Sequence, residues 1–525
     1  MTKGYLALVL HAHLPYVRHP EYDHSIEENW LFEAITETYL PLLLLLDGLA
    51  EDNIDFRLTL SITPTLAAML GDSFLQYRYL NRLECQIELA NREIIRTRSS
   101  EFNSLADFYH QRLLKLRHAY LNRYDRNLIQ AFTRYQDLGQ LEIVASAATH
   151  GYLPLLSTIP AAARAQVRIG VEEHQRLFNS SPQGFWLPEC GYCPGIDEYL
   201  ADHALRYTIV ETHGVTRAEP RPDYGVYAPV CCPSGVTVFG RDPESSRQVW
   251  SSEEGYPGDH AYREFYRDIA YDLEREHLTP CLHPDGIRLD TGFKYYRITG
   301  KTEHKEIYVP AHAENKAELH AENFVASRAK HIEYLSTLMD RKPIIVAPYD
   351  AELFGHWWFE GPVWLNSVIR QISTQQKNIR LTTLSEYLEE YPVNQIASPS
   401  ASSWGQNGSH ETWLNERNDW IYPHLHQGAQ IMARLANKYA LANGLTLRAL
   451  KQAERELLLA QASDWAFMLH SDKMGEYAGQ RTKTHLAQFM RLKDAIENRK
   501  IDQKWLAMIE CRNNIFPQID ANAFH

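Results

Sequence analysis

The chain has 525 residues, 44% hydrophobic and 23% charged, the balance of a globular protein whose core is large enough to exclude disorder as its main state. Its 53 Lys and Arg against 66 Asp and Glu give a formal net charge of −13, which repels phosphate backbones and argues against nucleic-acid partners. Neutral substrates stay open, and 30 Tyr with 11 Trp supply flat rings that suit sugar faces as well as cores.

The opening MTKGYLALVLHAHLPYV is interrupted by His11 and His13 and has no small-residue cleavage site, so it does not read as a signal peptide. The apolar run PLLLLLDGLA stops at Asp47, short of the roughly 20 residues a membrane span needs, and no membrane partner is expected. Seven cysteines, an odd number, argue for a reducing compartment, with the cytoplasm as the expected location. No self-complementary patch is evident, and a monomer is expected.

Short buried strands are predicted at Tyr5–Leu10, Phe56–Ile62, Leu141–Ala145, Gln183–Leu187, Tyr207–Val210, Lys342–Pro348 and Ile379–Thr383. Amphipathic helices are predicted between them at Trp30–Leu46, Ala161–Phe178, Asn323–Met339 and Pro362–Ile372. This alternation argues an α/β fold, a parallel sheet long enough to close into a barrel of about seven strands. Residues 1–393 would form that barrel, with a charged helical insertion at about 72–137 and a long Pro-, Gly- and Tyr-rich loop excursion at about 212–300. NQIASPSASS at 394–403 reads as a linker. Residues 404–525 read as an all-helical section, with helices at Trp420–Asn443, Leu447–His470, Tyr477–Asn498 and Gln503–Arg512.

A parallel barrel carries its chemistry where strands end. The first predicted strand runs into His11 and His13, the third into His150, the fourth into Glu189, and the KPIIVAP strand into Asp350. Two carboxylates and three histidines therefore converge on one face, the equipment of a glycosidase, in which one carboxyl serves as acid or nucleophile and the other is its partner. Taken singly, Glu189 and Asp350 are equally readable as helix-start carboxylates. A rival reading makes His11, His13 and Asp350 the ligands of a metal-dependent hydrolase, and a third leaves a glucan-binding protein without turnover. Cys190-Gly-Tyr-Cys193 with Cys231 and Cys232 lacks a tetrahedral spacing and a thioredoxin-like setting, so all four read as free thiols. Within 241–268, Trp250, Asp259 and Arg263 are candidates for lining a groove. Trp404, Trp413 and Trp420 stand in a polar, Gly-rich stretch and read as sugar platforms rather than core.

These motifs resemble glycoside hydrolase family 57, and within it the glucan-branching members, over essentially the whole length. HAHLPY at 11–16, ATHGYLPLL at 148–156, GFWLPECGY at 184–192 and APYDAELFGHWWFEG at 347–361 are similar to its first four motifs, and Ala462–Met468 to its fifth. The resemblance implies a distorted (β/α)7 barrel with the helical section closing one side of a groove, and a retaining mechanism with no metal or other cofactor. Glu189 would be the nucleophile and Asp350 the acid/base. His11, His13 and His150 would hold donor hydroxyls, Asp464 would lie near substrate, and Trp250, Trp404 and Trp413 would position chains. Donor and acceptor would both be α-1,4-glucans, joined through a new α-1,6 bond, with an α-amylase or 4-α-glucanotransferase as the alternative in the same family. The resemblance also implies an aromatic-tipped loop over the site. The segment expected to supply it, Tyr224–Gln248, carries Tyr227 with Cys231 and Cys232 at its tip.

Overall fold

The computed structural model describes residues 2–251 and 254–524. All seven predicted strands form: β1 (Gly4–Ala12), β2 (Leu58–Ile62), β3 (Leu141–Ser146), β4 (Gly184–Trp186), β5 (Tyr207–Val210), β8 (Ile344–Asp350) and β9 (Ile379–Leu381). Three others were not predicted: β6 (Val230–Cys231), β7 (Thr237–Gly240) and β10 (Gln395–Ile396). β1 is buried along its whole length, which is why GYLALVLHA reads as an unbroken apolar run instead of alternating.

The strands are ordered β10-β6-β7-β5-β4-β3-β2-β1-β8, with β9 paired to the start of β1. From β7 to β8, seven consecutive neighbours run parallel. The open side between β7 and β8 is bridged by two backbone bonds, Asp242 N–H to the Val346 carbonyl and Ile344 N–H to the Tyr227 carbonyl, each 2.9 Å. The barrel is thus seven-stranded and irregular, as expected, but its strand membership differs from expectation. β7 lies inside the 212–300 stretch, which is therefore part barrel and not wholly a loop excursion; β9 caps the base of β1.

The 72–137 insertion consists of three α-helices, Ser73–Arg96, Asn103–His118 and Leu128–Asp137, the second continued by a π-helical turn at Ala119–Arg123. The 394–403 stretch is not a free tether: β10 pairs with β6, Ser398 N–H reaches the Glu219 carbonyl (2.9 Å), and Ser402 N–H reaches the Tyr192 carbonyl (3.0 Å). The C-terminal section is mainly helical from Ile421 to Arg512, but residues 404–420, expected to belong to it, hold only the short 3-10 turn Gln406–Gly408. The helix expected over Leu447–His470 is two, Gly444–Ala460 and Ser463–Ser471. The break is held from the barrel, where Ala462 forms an antiparallel bridge with Gly151 and Ser463 N–H donates to the His150 carbonyl at 3.0 Å.

Candidate active site

β4 ends at Trp186, and the chain turns through Leu187 and Pro188 to Glu189. Glu189 (φ +62°), Cys190 (φ +49°) and His150 (φ +57°) all hold left-handed backbone, an uncommon conformation for non-glycine residues that persists only where the surroundings impose it. Here the C-terminal section imposes it. Trp404 N–H donates to the Glu189 carbonyl (3.0 Å). The Trp404 indole N–H donates to Glu189 Oε2 (2.8 Å), and the Ser463 hydroxyl donates to Oε1 (2.9 Å).

Behind Ser463 the hydrogen bonds have one consistent direction. Because the Ser463 proton goes to Glu189, His150 Nδ1–H must donate to Ser463 Oγ (2.9 Å), leaving His150 Nε2 as an acceptor. His11 Nε2–H then donates to His150 Nε2 (3.0 Å), and His11 Nδ1 accepts from Ser61 (3.1 Å). Burial, together with charge on His13, pushes the pKa of both His11 and His150 well down, so both are neutral, as this chain of donors requires. His13 lies stacked on His150 with ring centroids 3.7 Å apart, and its Nε2 reaches both Asp464 oxygens at 3.1 Å. Burial opposes charge on His13, but Asp464, Glu189 and Glu352 outweigh it and raise its pKa.

Asp350 ends β8 in register with His11 of β1. The turn after it is locked by Gly355 (φ +112°), where a Cβ would lie 1.8 Å from the Glu37 carbonyl oxygen, so only glycine fits. Burial drives the Asp350 carboxyl well up, Glu352 and Glu189 push the same way, and Arg241 opposes them. Glu189 is also raised by burial, but the Trp404 and Ser463 donors favour its charged form. Both carboxyls at this mouth are raised, Asp350 the more strongly, while two direct donors on Glu189 favour its anion.

Arg241, which follows β7, pairs with Glu211 Oε2 (3.0 Å) and lies over the rings of Trp250 (5.9 Å) and Trp404 (5.7 Å). Trp404 also meets Trp186 at 5.1 Å, and Trp186 stacks on His11 at 4.6 Å. Glu352 accepts from the His13 backbone N–H (3.1 Å) and from the Tyr39 hydroxyl.

The structure therefore brings together Glu189, Asp350, His11, His13, His150, Asp464, Trp404 and Trp250. It places six other predicted residues elsewhere. Trp413 is 1% exposed and stacked on Tyr152 at 4.4 Å; its sequence neighbours are polar, but its spatial neighbours come from the loop after β3. Arg263 is 5% exposed and ion-paired to Glu37 (3.1 Å), so it does not line an open groove. Cys231 pairs with Thr237, which is level with Tyr207 and hence with Gly184 at the start of β4, whereas Glu189 follows that strand's end. Cys231 and Cys232 accordingly belong to a hairpin at the opposite rim. Tyr227, whose carbonyl holds the first residue of β8, is on that rim too. Asp259 pairs with Lys316 (3.2 Å). Of the 241–268 stretch, Ser252 and Glu253 lie outside the described residues. Sequence reasoning missed Ser463, Arg241, Glu211 and Glu352.

All seven cysteines are free thiols. Among the described residues, one grouping has the spacing of metal ligands, namely His13, His150 and Asp464, with ligand atoms within 4.8 Å of one another. It is not the expected set of His11, His13 and Asp350. Neither imidazole offers a free lone pair: Thr65 donates to the Leu14 carbonyl, so Thr63 donates to Thr65 and accepts from His13 Nδ1–H (3.0 Å), and His150 Nε2 accepts from His11.

A seven-stranded parallel barrel with two differently tuned carboxyls at its mouth, ringed by histidines and tryptophans, defines a glycoside-processing enzyme of the two-carboxyl class. The profile of glycosyl hydrolase family 57 matches residues 7–399, and the profile described as 1,4-alpha-glucan branching enzyme, C-terminal, matches residues 424–524. The chain belongs to glycosyl hydrolase family 57. It is 34% identical to the 1,4-alpha-glucan branching enzyme TK1436 of Thermococcus kodakarensis, over 98% of this chain and 77% of that protein. The crystal structure of the GH57-type branching enzyme of Pyrococcus horikoshii superposes with a TM-score of 0.90 at 33% identity, covering 100% of this chain and 97% of that one. That of the novel alpha-amylase AmyC of Thermotoga maritima superposes with a TM-score of 0.93 at 44% identity, covering 99% of each.

Proposed function

We propose that the chain is a 1,4-α-glucan branching enzyme working by retaining double displacement. The observation that carries this reading is the pair of buried carboxyls at one mouth, Glu189 held by the Trp404 and Ser463 donors and Asp350 raised by burial and by its neighbouring carboxylates; the match of the C-terminal branching-enzyme profile narrows it to branching. Glu189 attacks the anomeric carbon of a donor glucan while the Asp350 proton passes to the departing 4-oxygen, leaving a glycosyl ester on Glu189. Asp350, now a carboxylate, takes the proton of an acceptor 6-hydroxyl as that oxygen attacks the same carbon, and Glu189 leaves. The product is an α-1,6 branch, and both carboxyls return to their starting states. His13 and Asp464 face the donor hydroxyls, His11 and His150, whose ring nitrogens are all engaged, hold Ser463 in place on Glu189, and Trp250 and Trp404 position the chain. All of these groups come from one polypeptide, which supports a monomer as the working unit. Residues 1–393 supply the catalytic barrel and the helices beyond 404 its capping wall, a division that the Ser463 and Trp404 contacts make interdependent. Seven unpaired thiols support a reducing compartment such as the cytoplasm.

The second reading is an α-amylase, favoured by the 44% identity to AmyC. It differs only in what meets the glycosyl ester: water instead of a 6-hydroxyl. Amylose incubated with the enzyme separates the two. New α-1,6 signals by proton NMR with few new reducing ends are expected; many reducing ends without α-1,6 signal would establish a hydrolase. Glu189→Gln and Asp350→Asn should each cut turnover by orders of magnitude with the fold intact, and full activity in Glu189→Gln would remove the nucleophile assignment.

A further inference from the structure

The helical segment from Glu28 to Glu51 is interrupted at Ile35–Tyr39 by a π turn, closed by Leu40 N–H on the Ile35 carbonyl. Pro41 accounts for the interruption. It has no N–H to give the Glu37 carbonyl, its partner in a regular α-helix, and its ring would crowd that oxygen. Turns of this kind recur at functional sites, and this one stands against the segment that follows Asp350. Three contacts join the two. Gly355 approaches the Glu37 carbonyl oxygen so closely that a Cβ would overlap it. Glu37 Oε2 accepts from His356 Nδ1–H at 2.7 Å, while Oε1 takes Arg263 at 3.1 Å. The Tyr39 hydroxyl donates to Glu352 Oε1, the oxygen that also accepts the His13 backbone N–H at 3.1 Å.

Both side chains are in the state these contacts need. Burial opposes charge on Glu37, but Arg263 and His356 outweigh it and hold its carboxyl well down. Burial likewise opposes charge on His356, and Glu37 overcomes it, so the two form an ion pair. Burial, with charge on Glu352 and Asp350, pushes the Tyr39 hydroxyl well up, so it stays a donor. Packing alone does not call for that hydroxyl. Tyr39 is 1% exposed, and a phenylalanine would fill the same space without a polar group to bury. The hydroxyl instead fixes the carboxylate two positions beyond Asp350, and through it the exits of β1 and β8. An acid must meet its leaving oxygen accurately, since a misplacement of about 1 Å costs about a hundredfold in rate.

We propose that the π turn Ile35–Tyr39 positions the catalytic acid: Tyr39 through Glu352, and Glu37 through His356, set the turn that aims the Asp350 carboxyl at the departing 4-oxygen. The proposal rests on the acid/base reading of Asp350 above. The test compares two donors in the full-length enzyme, amylose and α-maltotriosyl fluoride. The amylose leaving oxygen needs the Asp350 proton, whereas fluoride departs without one, so its release in the first turnover reports attack by Glu189 alone. Tyr39→Phe should lower kcat on amylose about tenfold with KM unchanged, and leave first-turnover fluoride release within about twofold of wild type. His356→Ala should show the same pattern, and His356→Gln, which keeps a donor for Glu37, a smaller loss. Combined with Glu352→Gln, Tyr39→Phe should add nothing, because its effect passes through that carboxylate. Equal losses on the two donors, no loss on amylose, or a double variant slowed by the product of the single losses would each overturn the positioning role. Asp350→Asn separates a failure of the underlying reading: it should lose amylose turnover by orders of magnitude and fluoride release far less. Equal loss of both there would remove Asp350 as the acid, and the proposal with it.

Discussion

Ser463 donates its hydroxyl to Glu189 Oε1 at 2.9 Å, so a residue from the C-terminal helices completes the environment of a carboxylate that belongs to the barrel. Its own acceptor side is filled by His150, which ties the pair to the Ser61–His11–His150 line of hydrogen bonds. Each bond in such a line polarises the next, and the last one favours the anion.

Ser463→Ala is therefore expected to lower kcat about tenfold to a hundredfold, the range for a hydrogen bond to a charged group. It should also move the acidic limb of the pH–rate profile. Burial already raises the Glu189 pKa, and Ser463 is one of the two donors that hold it down. Removing that donor raises the pKa further, so the enzyme must reach a higher pH before Glu189 ionises, and the ascending limb shifts upward. Ser463→Thr, which keeps the hydroxyl, should retain the original limb. A uniform loss at every pH would show that Ser463 acts only by packing.

The basic limb belongs to Asp350 and should respond with opposite signs to its two charged neighbours. Glu352 raises the Asp350 pKa and Arg241 lowers it. In Glu352→Gln one negative neighbour is gone, Asp350 loses its proton at lower pH, and the descending limb moves down. In Arg241→Gln a positive neighbour is gone, the proton is held longer, and the limb moves up. Profiles of kcat/KM for the two variants and wild type provide the measurement; shifts in the same direction would reassign the limb to another group.

Why some of this was readable from sequence and some was not follows from where each signal resides. Strands such as β1 and β8 are buried on both faces, and their unbroken apolar runs leave few other readings. β7 is four residues long and sits among Pro and Gly, so TVFG looks like loop until β5 pairs with it. The break before Ser463 has no Gly or Pro to mark it. LLLAQASDWAFMLH keeps a helical apolar pattern throughout, and the interruption comes from Gly151, some three hundred positions earlier in the chain. Trp413 and Arg263 fail for the same reason in reverse. Nothing beside them in sequence marks them as buried; Tyr152 and Glu37, distant in sequence, pack against them. Residues fixed by strand ends were legible; those fixed by a partner from another part of the chain were not.

Chelation bears on the rival metal reading. His13 and His150, the imidazoles of the one ligand-like grouping among the described residues, have no free lone pair, since His13 Nδ1–H donates to Thr63 and His150 Nε2 accepts from His11. Activity after exhaustive dialysis against EDTA is expected to equal that of untreated enzyme. A loss restored by added zinc would instead mean that these hydrogen bonds yield to a metal.

The last expectation concerns how the rim carrying Trp250 is held in place. Asp242, just past β7, bonds its backbone N–H to Val346 across the open side of the barrel. Its side chain accepts from Ser245 N–H at 2.7 Å, capping helix Pro243–Trp250, and pairs with Arg328 at 3.1 Å, both side chains being fully buried. Asp242→Ala leaves the backbone bond but removes the cap and strands a buried guanidinium, with only the half-exposed Glu244 still in reach at 2.5 Å. Breaking one side of a buried pair costs about 3–5 kcal/mol, and a lost cap about 1 kcal/mol more. The urea midpoint should fall accordingly, less so for Asp242→Asn, which keeps a capping oxygen. Because the capped helix ends at Trp250, whose ring meets Trp404 at 6.0 Å, the same variant should raise KM for glucan under conditions where it is still folded. An unchanged midpoint would mean that Glu244 alone satisfies Arg328.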